Sequence, residues 1–290
     1  MRQLHMAVRI CPWFLEPLFM VAFTFIFWVF CGRARRAVAA NLKFILPGSS
    51  AVGNQCRAFR VFWNFAWSIT DSARVQEGQN VITWDIVGRD HIHELEVKET
   101  GAVLLTAHMG NYDVAAPVFA DRFKHPIHMV RAPERQQENQ EFQDHKRKQQ
   151  TSETFVIHYN APGGMLGVEL VRAIGEGGIV AIQGDRILFD VAPLKLAFKE
   201  GVSWQVPRGP FTLALVARAS IHPVFIIRLG YRRYRVQAFA PILITVEGRD
   251  KEAAQRVAAE QWNAVLREVI EQHWWQWFVF EPVFKEESKS

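Results

Sequence analysis

Short apolar runs alternate with charged stretches of helical period along most of this chain. Residues 81–87, 102–107, 127–130, 154–158, 179–183 and 221–229 have strand length and are rich in Val, Ile and Leu. Between them, residues 91–99, 164–174 and 212–219 place apolar side chains three and four apart, the spacing of one helix face. Residues 51–76 predict a longer amphipathic helix rich in Phe, Trp and Ala, and 251–272 a final one. Residues 131–150 are highly charged and predict a polar helix or lid, and 234–239 and 242–246 predict antiparallel strands. Strands alternating with helices predict an α/β fold with a mixed, mainly parallel sheet flanked by helices.

The first 35 residues break this pattern. Leu18 to Cys31 is an uncharged run of 14 residues, followed by Arg33, Arg35 and Arg36. A spanning helix needs about 20 apolar residues, so the run is short for one. A signal peptide would be cleaved soon after its apolar core, but here three arginines intervene. An interfacial or re-entrant helix fits best, its arginines at anionic head groups, with a true span and a buried core helix as alternatives. The expected division is a membrane anchor over residues 1–35 and a catalytic domain over residues 36–290.

Composition narrows the function classes. A chain of 290 residues suits one large α/β domain with an appendage, and its net charge of +5 favours anionic surfaces or substrates. The basic balance also suits nucleic acid, but zinc-finger spacing, an aromatic RNA motif and a long basic run are all missing from the sequence. The three cysteines (Cys11, Cys31 and Cys56) are odd in number and lack Cys-x-x-Cys spacing, which argues against a disulfide framework. His91-Ile-His93 with Glu94 has no third spaced ligand, so no metal is expected. No Gly-x-Ser-x-Gly elbow supplies a serine nucleophile.

The chemistry concentrates in Ala102-Val-Leu-Leu-Thr-Ala-His-Met-Gly-Asn-Tyr-Asp113. A buried strand delivers His108 to its carboxyl end, where open α/β sheets place their sites. Asp113 follows five residues later. On one continuous helix the two would diverge by about 140°. They meet only if His108 precedes a helix and Asp113 lies in its first turn, with Gly110-Asn111 making the bend and Asn111 as N-cap. Pro117 fits only an early helical position, so that helix must start late or kink. So arranged, His108 and Asp113 form a general-base dyad for deprotonating a hydroxyl; the plainer alternative is a hydrogen-bonded histidine at a strand end. Arg131, Asp185 and Arg186 follow other strand ends and offer contacts to an anionic acceptor or donor. Arg208 precedes a helix whose N-terminus attracts anions. Solvated arginines and an internal ion pair are the alternatives for these four.

His-Met-Gly-Asn-Tyr-Asp resembles the H-(F/M/L)-G-N-(W/Y)-(D/E) signature of the bacterial lipid A late acyltransferases, part of the lysophospholipid acyltransferase superfamily. The likeness continues in order from about residue 15 to 282. It includes Arg35-Arg36-Ala-Val-Ala-Ala-Asn41-Leu, Arg131-Ala-Pro133, Gly184-Asp185-Arg186, Phe198-Lys-Glu-Gly201, Pro207-Arg-Gly-Pro210, Ala219-Ser-Ile-His-Pro223 and the closing His273-Trp-Trp-Gln-Trp-Phe278. The carboxylate is Asp113, where many of these enzymes carry Glu. The resemblance implies a glycerol-3-phosphate acyltransferase-like fold and direct O-acyl transfer with no cofactor. Acyl carrier protein or a CoA thioester would be donor and a lipid A precursor-type glycolipid acceptor, at the cytoplasmic face of the cell inner membrane. Another lipid, a lysophospholipid or a lipid-like metabolite is the alternative acceptor. A non-catalytic lipid-binding protein on the same fold is the alternative of a different class.

Overall fold

The computed structural model describes residues 6, 10–12, 14–79, 81–97, 99–132, 154–160, 165–187, 192–246 and 249–287. Seven strands make the central sheet: β1 (Thr83–Val87), β2 (Ala102–Thr106), β3 (Ile127–Arg131), β4 (Phe155–Tyr159), β5 (Ile179–Gln183), β8 (Ile221–Gly230) and β9 (Arg233–Ala238). Their order is β1-β9-β8-β2-β5-β3-β4, and every neighbouring pair is parallel except β8 with β9. The expected mixed, mainly parallel α/β sheet is therefore the fold.

Alternation along β2 explains how the sheet feeds two cores. Val103, Leu105 and Ala107 join one apolar cluster, while Ala102 and Leu104 join the other. On the first face lie α6 (Leu166–Gly175), α7 (Gly209–Ala217) and α8 (Lys251–His273). On the second lie α4 (Arg89–Val97) and α5 (Tyr112–Phe119). Strands buried on both faces are expected to read as continuous apolar runs, as these do.

The helix over 51–76 is found as α3 (Ala51–Gln76), started by Ser50, whose Oγ accepts from the Gly53 amide at 3.0 Å. The helix over 251–272 is α8, capped by Asp250. A hairpin of β6 (Pro193–Lys199) and β7 (Val202–Pro207), with β10 (Lys285–Glu286) added at its edge, lies outside the sequence expectations. The strand expected over 242–246 is reduced to a single bridge from Ile242 to Ile221. The polar helix or lid expected over 131–150, the first residue of the helix expected over 164–174, and Pro133 lie wholly or mostly outside the described residues.

The N-terminal apolar run folds as α1 (Glu16–Phe30), followed by α2 (Gly32–Ile45) after a 90° bend at Cys31. Among the described residues no single helix is long and apolar enough to cross a membrane. One stripe of α1, Glu16, Met20 and Thr24, is buried, with Met20 packed on Ala66 and Trp67 of α3. The remaining face, including Leu18, Phe19, Phe23, Ile26 and Phe30, is exposed. Glu16 is the fixing point. Its carboxylate accepts from Arg74 Nε at 2.8 Å, Arg232 at 2.7 Å and the Tyr231 hydroxyl at 3.0 Å. The apolar segment is thus tied to α3 and to the β8–β9 turn by a buried charge network.

Candidate active site

Strand register brings the chemistry together. Thr106 of β2 pairs with Gln183 of β5 in parallel, so two residues further on His108 and Asp185 stand side by side at the carboxyl edge. His108 Nδ1 lies 2.7 Å from Asp185 Oδ1, and the His108 amide donates to Oδ2 at 3.1 Å. The Trp277 indole donates to the same Oδ2 at 2.9 Å. Asp185 is fully buried. Burial alone pushes its carboxyl up, but the His108 charge, the His108 hydrogen bonds and the Trp277 donor outweigh it and hold the group below the usual carboxylate range. An ionised Asp185 fixes the proton of His108 on Nδ1 and leaves Nε2 as the basic nitrogen.

The carboxylate that meets His108 is therefore Asp185, where sequence spacing pointed to Asp113. The local geometry is otherwise as required: His108 precedes α5, and Asp113 lies in its first turn. Asp113 instead forms a close ion pair with Arg131, whose strand ends on the same sheet face. Pro117 does lie inside α5, which is short and passes at Ala120 into a single 3₁₀ turn. Asn111 occupies the N-cap position, but its side chain does not cap. Its Nδ2 donates to the Ser68 carbonyl at 3.1 Å, and its Oδ1 accepts from Ser72 at 2.7 Å. It bolts the turn to α3.

Gly110 makes the bend possible. Its φ is +55°, and an added Cβ would overlap the Ile226 carbonyl oxygen. Gly110→Ala is expected to destabilise by about 2 kcal/mol or more, from left-handed strain and overpacking together. Thermal melting checks this, and turnover should fall beyond any loss of folded protein because the substitution displaces His108.

Close to the His108–Asp185 pair, across the Tyr112 ring, lies an apolar groove. Leu104, Ala115, Phe119, Ala181, Val224 and Ile226 line its depth. Thr106, Tyr112, Gln183 and Arg131 give it a polar end. Tyr112 links groove and His108, its ring edge-on to the imidazole at 5.8 Å. Burial first, then the Asp113 charge, pushes its hydroxyl well above the ordinary range, so it stays protonated as a donor.

Arg186 follows Asp185 but turns toward Glu281, 3.3 Å away, with its Nε buried and unpartnered. Arg208 starts α7 and pairs with Glu252 of α8. Both helices pack on the sheet face opposite the groove. Among the described residues no cluster of His, Cys, Asp or Glu suits a metal.

A family model, described as bacterial lipid A biosynthesis acyltransferase, matches residues 3–286, nearly the whole chain. The chain belongs to the bacterial lipid A biosynthesis acyltransferase family. The family makes it an acyltransferase, using an acyl donor and a lipid acceptor. Among curated proteins, no individual relative matches. Trp277, which donates to Asp185, and Tyr112, whose ring meets His108, appear in the sequence reading only inside longer motifs.

Proposed function

We propose that this acyltransferase moves a fatty acyl chain from acyl carrier protein or a CoA thioester to a hydroxyl of a lipid A precursor-type glycolipid, with His108 as base and Asp185 as its positioning partner. The observation that carries this reading is the His108–Asp185 pair, with the His108 ring against Tyr112, a residue that lines the apolar groove. His108 Nε2 takes the acceptor hydroxyl proton, and the oxygen attacks the thioester carbonyl. The tetrahedral intermediate collapses, the C–S bond breaks, and the thiolate receives the proton from the imidazolium. Asp185 stabilises that imidazolium without itself taking the proton. No acyl-enzyme and no cofactor enters this scheme. The groove holds the acyl chain, and the Tyr112 hydroxyl and Arg131 stand where the carbonyl end of that chain would lie.

Asp113 and Arg131 act as one unit at this mouth, with Arg131 receiving an anionic part of donor or acceptor. Arg131→Ala is expected to raise the KM of that substrate at least tenfold, the usual worth of one charge-assisted hydrogen bond, with a smaller change in turnover. Steady-state kinetics with each substrate varied in turn checks this; an unchanged KM for both removes Arg131 from binding. Arg186 and Arg208 are assigned more peripheral contacts with the acceptor's anionic groups.

The exposed apolar face of α1 and the arginines after it support docking on the cytoplasmic face of the inner membrane, with residues 1–35 as anchor and 36–290 as the catalytic domain. Lipid mass spectrometry of a strain lacking the gene tests acceptor and chain length together. Loss of one acyl group from lipid A supports the reading; an unaltered lipid A with a changed phospholipid profile moves the acceptor to another lipid class.

A further inference from the structure

A second pocket, separate from the acyl groove, shares no lining residue with it. It lies between α3, the end of β8 and the end of α8, and it is cationic and aromatic where the groove is apolar. Arg60, Trp63, Arg228, His273 and Trp275 line it. Arg60 stacks on the Trp275 ring at 4.3 Å, which holds its guanidinium at the rim. Arg228 donates to Asn64 Oδ1 at 3.1 Å and lies over Trp67 at 5.4 Å. Its backbone is clamped on both sides by the fully buried Gln276 side chain, whose Oε1 accepts from the Arg228 amide and whose Nε2 donates to the Arg228 carbonyl at 3.3 Å. Among the described residues neither arginine has a carboxylate within ion-pair distance. Asp71, whose carboxyl feels the Arg228 charge, is engaged by the Tyr234 hydroxyl at 2.7 Å. Two buried nitrogens, Arg228 Nε and His273 Nδ1, have no hydrogen-bond partner.

The pocket is joined to the catalytic pair by three successive residues. Gln276 holds Arg228, Trp277 donates to Asp185, and the Phe278 amide donates to the His108 carbonyl at 2.8 Å. Three residues span at most about 10 Å, so the pocket lies within a head group's reach of His108. Guanidiniums suit phosphate geometry, and indole faces suit the apolar face of a sugar ring.

We propose that this pocket binds the phosphorylated sugar head group of the acceptor, presenting its free hydroxyl to His108 while the donor's acyl chain fills the apolar groove. This assignment deepens the acyl-transfer reading and rests on it.

The test has two arms. In the first, full-length protein is titrated with glucosamine 1-phosphate, glucosamine and inorganic phosphate, and read by tryptophan fluorescence, since Trp63 and Trp275 line the pocket. Saturable binding of the sugar phosphate, weakened at least tenfold in Arg60→Gln and absent for unphosphorylated glucosamine, supports the site. Equal binding by wild type and Arg60→Gln overturns it, as does the absence of binding. Arg60 is exposed, so its variant is expected to melt with the wild type; Arg228→Gln serves as a second variant, scored only if folded. In the second arm, Arg60→Gln is expected to raise the KM for a phosphorylated glycolipid acceptor at least tenfold and to leave the donor KM unchanged. A raised donor KM instead assigns the pocket to the donor and overturns the proposal. If no glycolipid is acylated while the first arm succeeds, the acyl-transfer reading fails and the sugar-phosphate site stands.

Discussion

Asp185→Asn is expected to lower the turnover number by a factor of about 10² to 10⁴, comparable with His108→Ala, while Asp113→Asn acts mainly on KM. The reason is the hydrogen-bond inventory. The Asp185 carboxylate receives His108 Nδ1, the His108 amide and the Trp277 indole, all of them able to donate. An asparagine has one acceptor oxygen and an NH₂ that faces donors. The variant therefore loses the fixed imidazole tautomer and leaves a buried donor unsatisfied, costing about 1–3 kcal/mol of stability as well. pH provides an independent reading. Asp185 has its folded carboxyl below the ordinary range, so its stabilisation is present above about pH 4 and is lost as pH falls through the depressed folded value. The stability gap between wild type and Asp185→Asn should narrow in acid. Turnover that survives Asp185→Asn but collapses with Asp113→Asn would return the partner's role to Asp113.

The second large effect concerns the N-terminal helix. Glu16→Ala is expected to cost about 3–5 kcal/mol, the scale for breaking a buried ion pair from one side, and to lower the melting temperature by about 10 °C. Glu16 is almost fully buried and faces Arg74, itself 5% exposed, together with Arg232. Removing the carboxylate leaves both guanidiniums without a direct ion-pair partner among the described residues. Calorimetry of the purified variant measures the loss; a shift under about 3 °C would mean that water reaches the arginines and screens them.

Much of this was legible in the sequence because it is local. The strands of the central sheet are short branched-apolar runs, and the residue that must be glycine in the His108 turn is Gly110. What escaped depends on register between distant segments. Spacing along one chain made Asp113 the natural partner of His108, five residues away. Asp185 is 77 residues away, and only the Thr106↔Gln183 pairing puts it alongside. Both His108 and Asp185 lie two residues past a strand's last paired position, a phase match the sequence contains but cannot by itself align. Glu16 was hidden for a related reason: its partners, Arg74, Tyr231 and Arg232, come from two remote elements. Phe198 and Pro207 of the β6–β7 hairpin enter the sequence expectations only inside family-like motifs, with no strand assigned to them.

The order of synthesis adds a consequence of the Gln276–Phe278 segment. His108 and Asp185 are made well before Trp277 and Phe278, the residues that hold the carboxylate and the His108 carbonyl. At roughly 5–20 residues per second, the growing chain spends about 5–20 s with its acid and base translated but unsupported. The apolar face of α1 emerges long before that interval ends. The nascent protein thus presents this apolar face while its His108–Asp185 pair is still incomplete, and the pair is fully supported only once the last turn has closed.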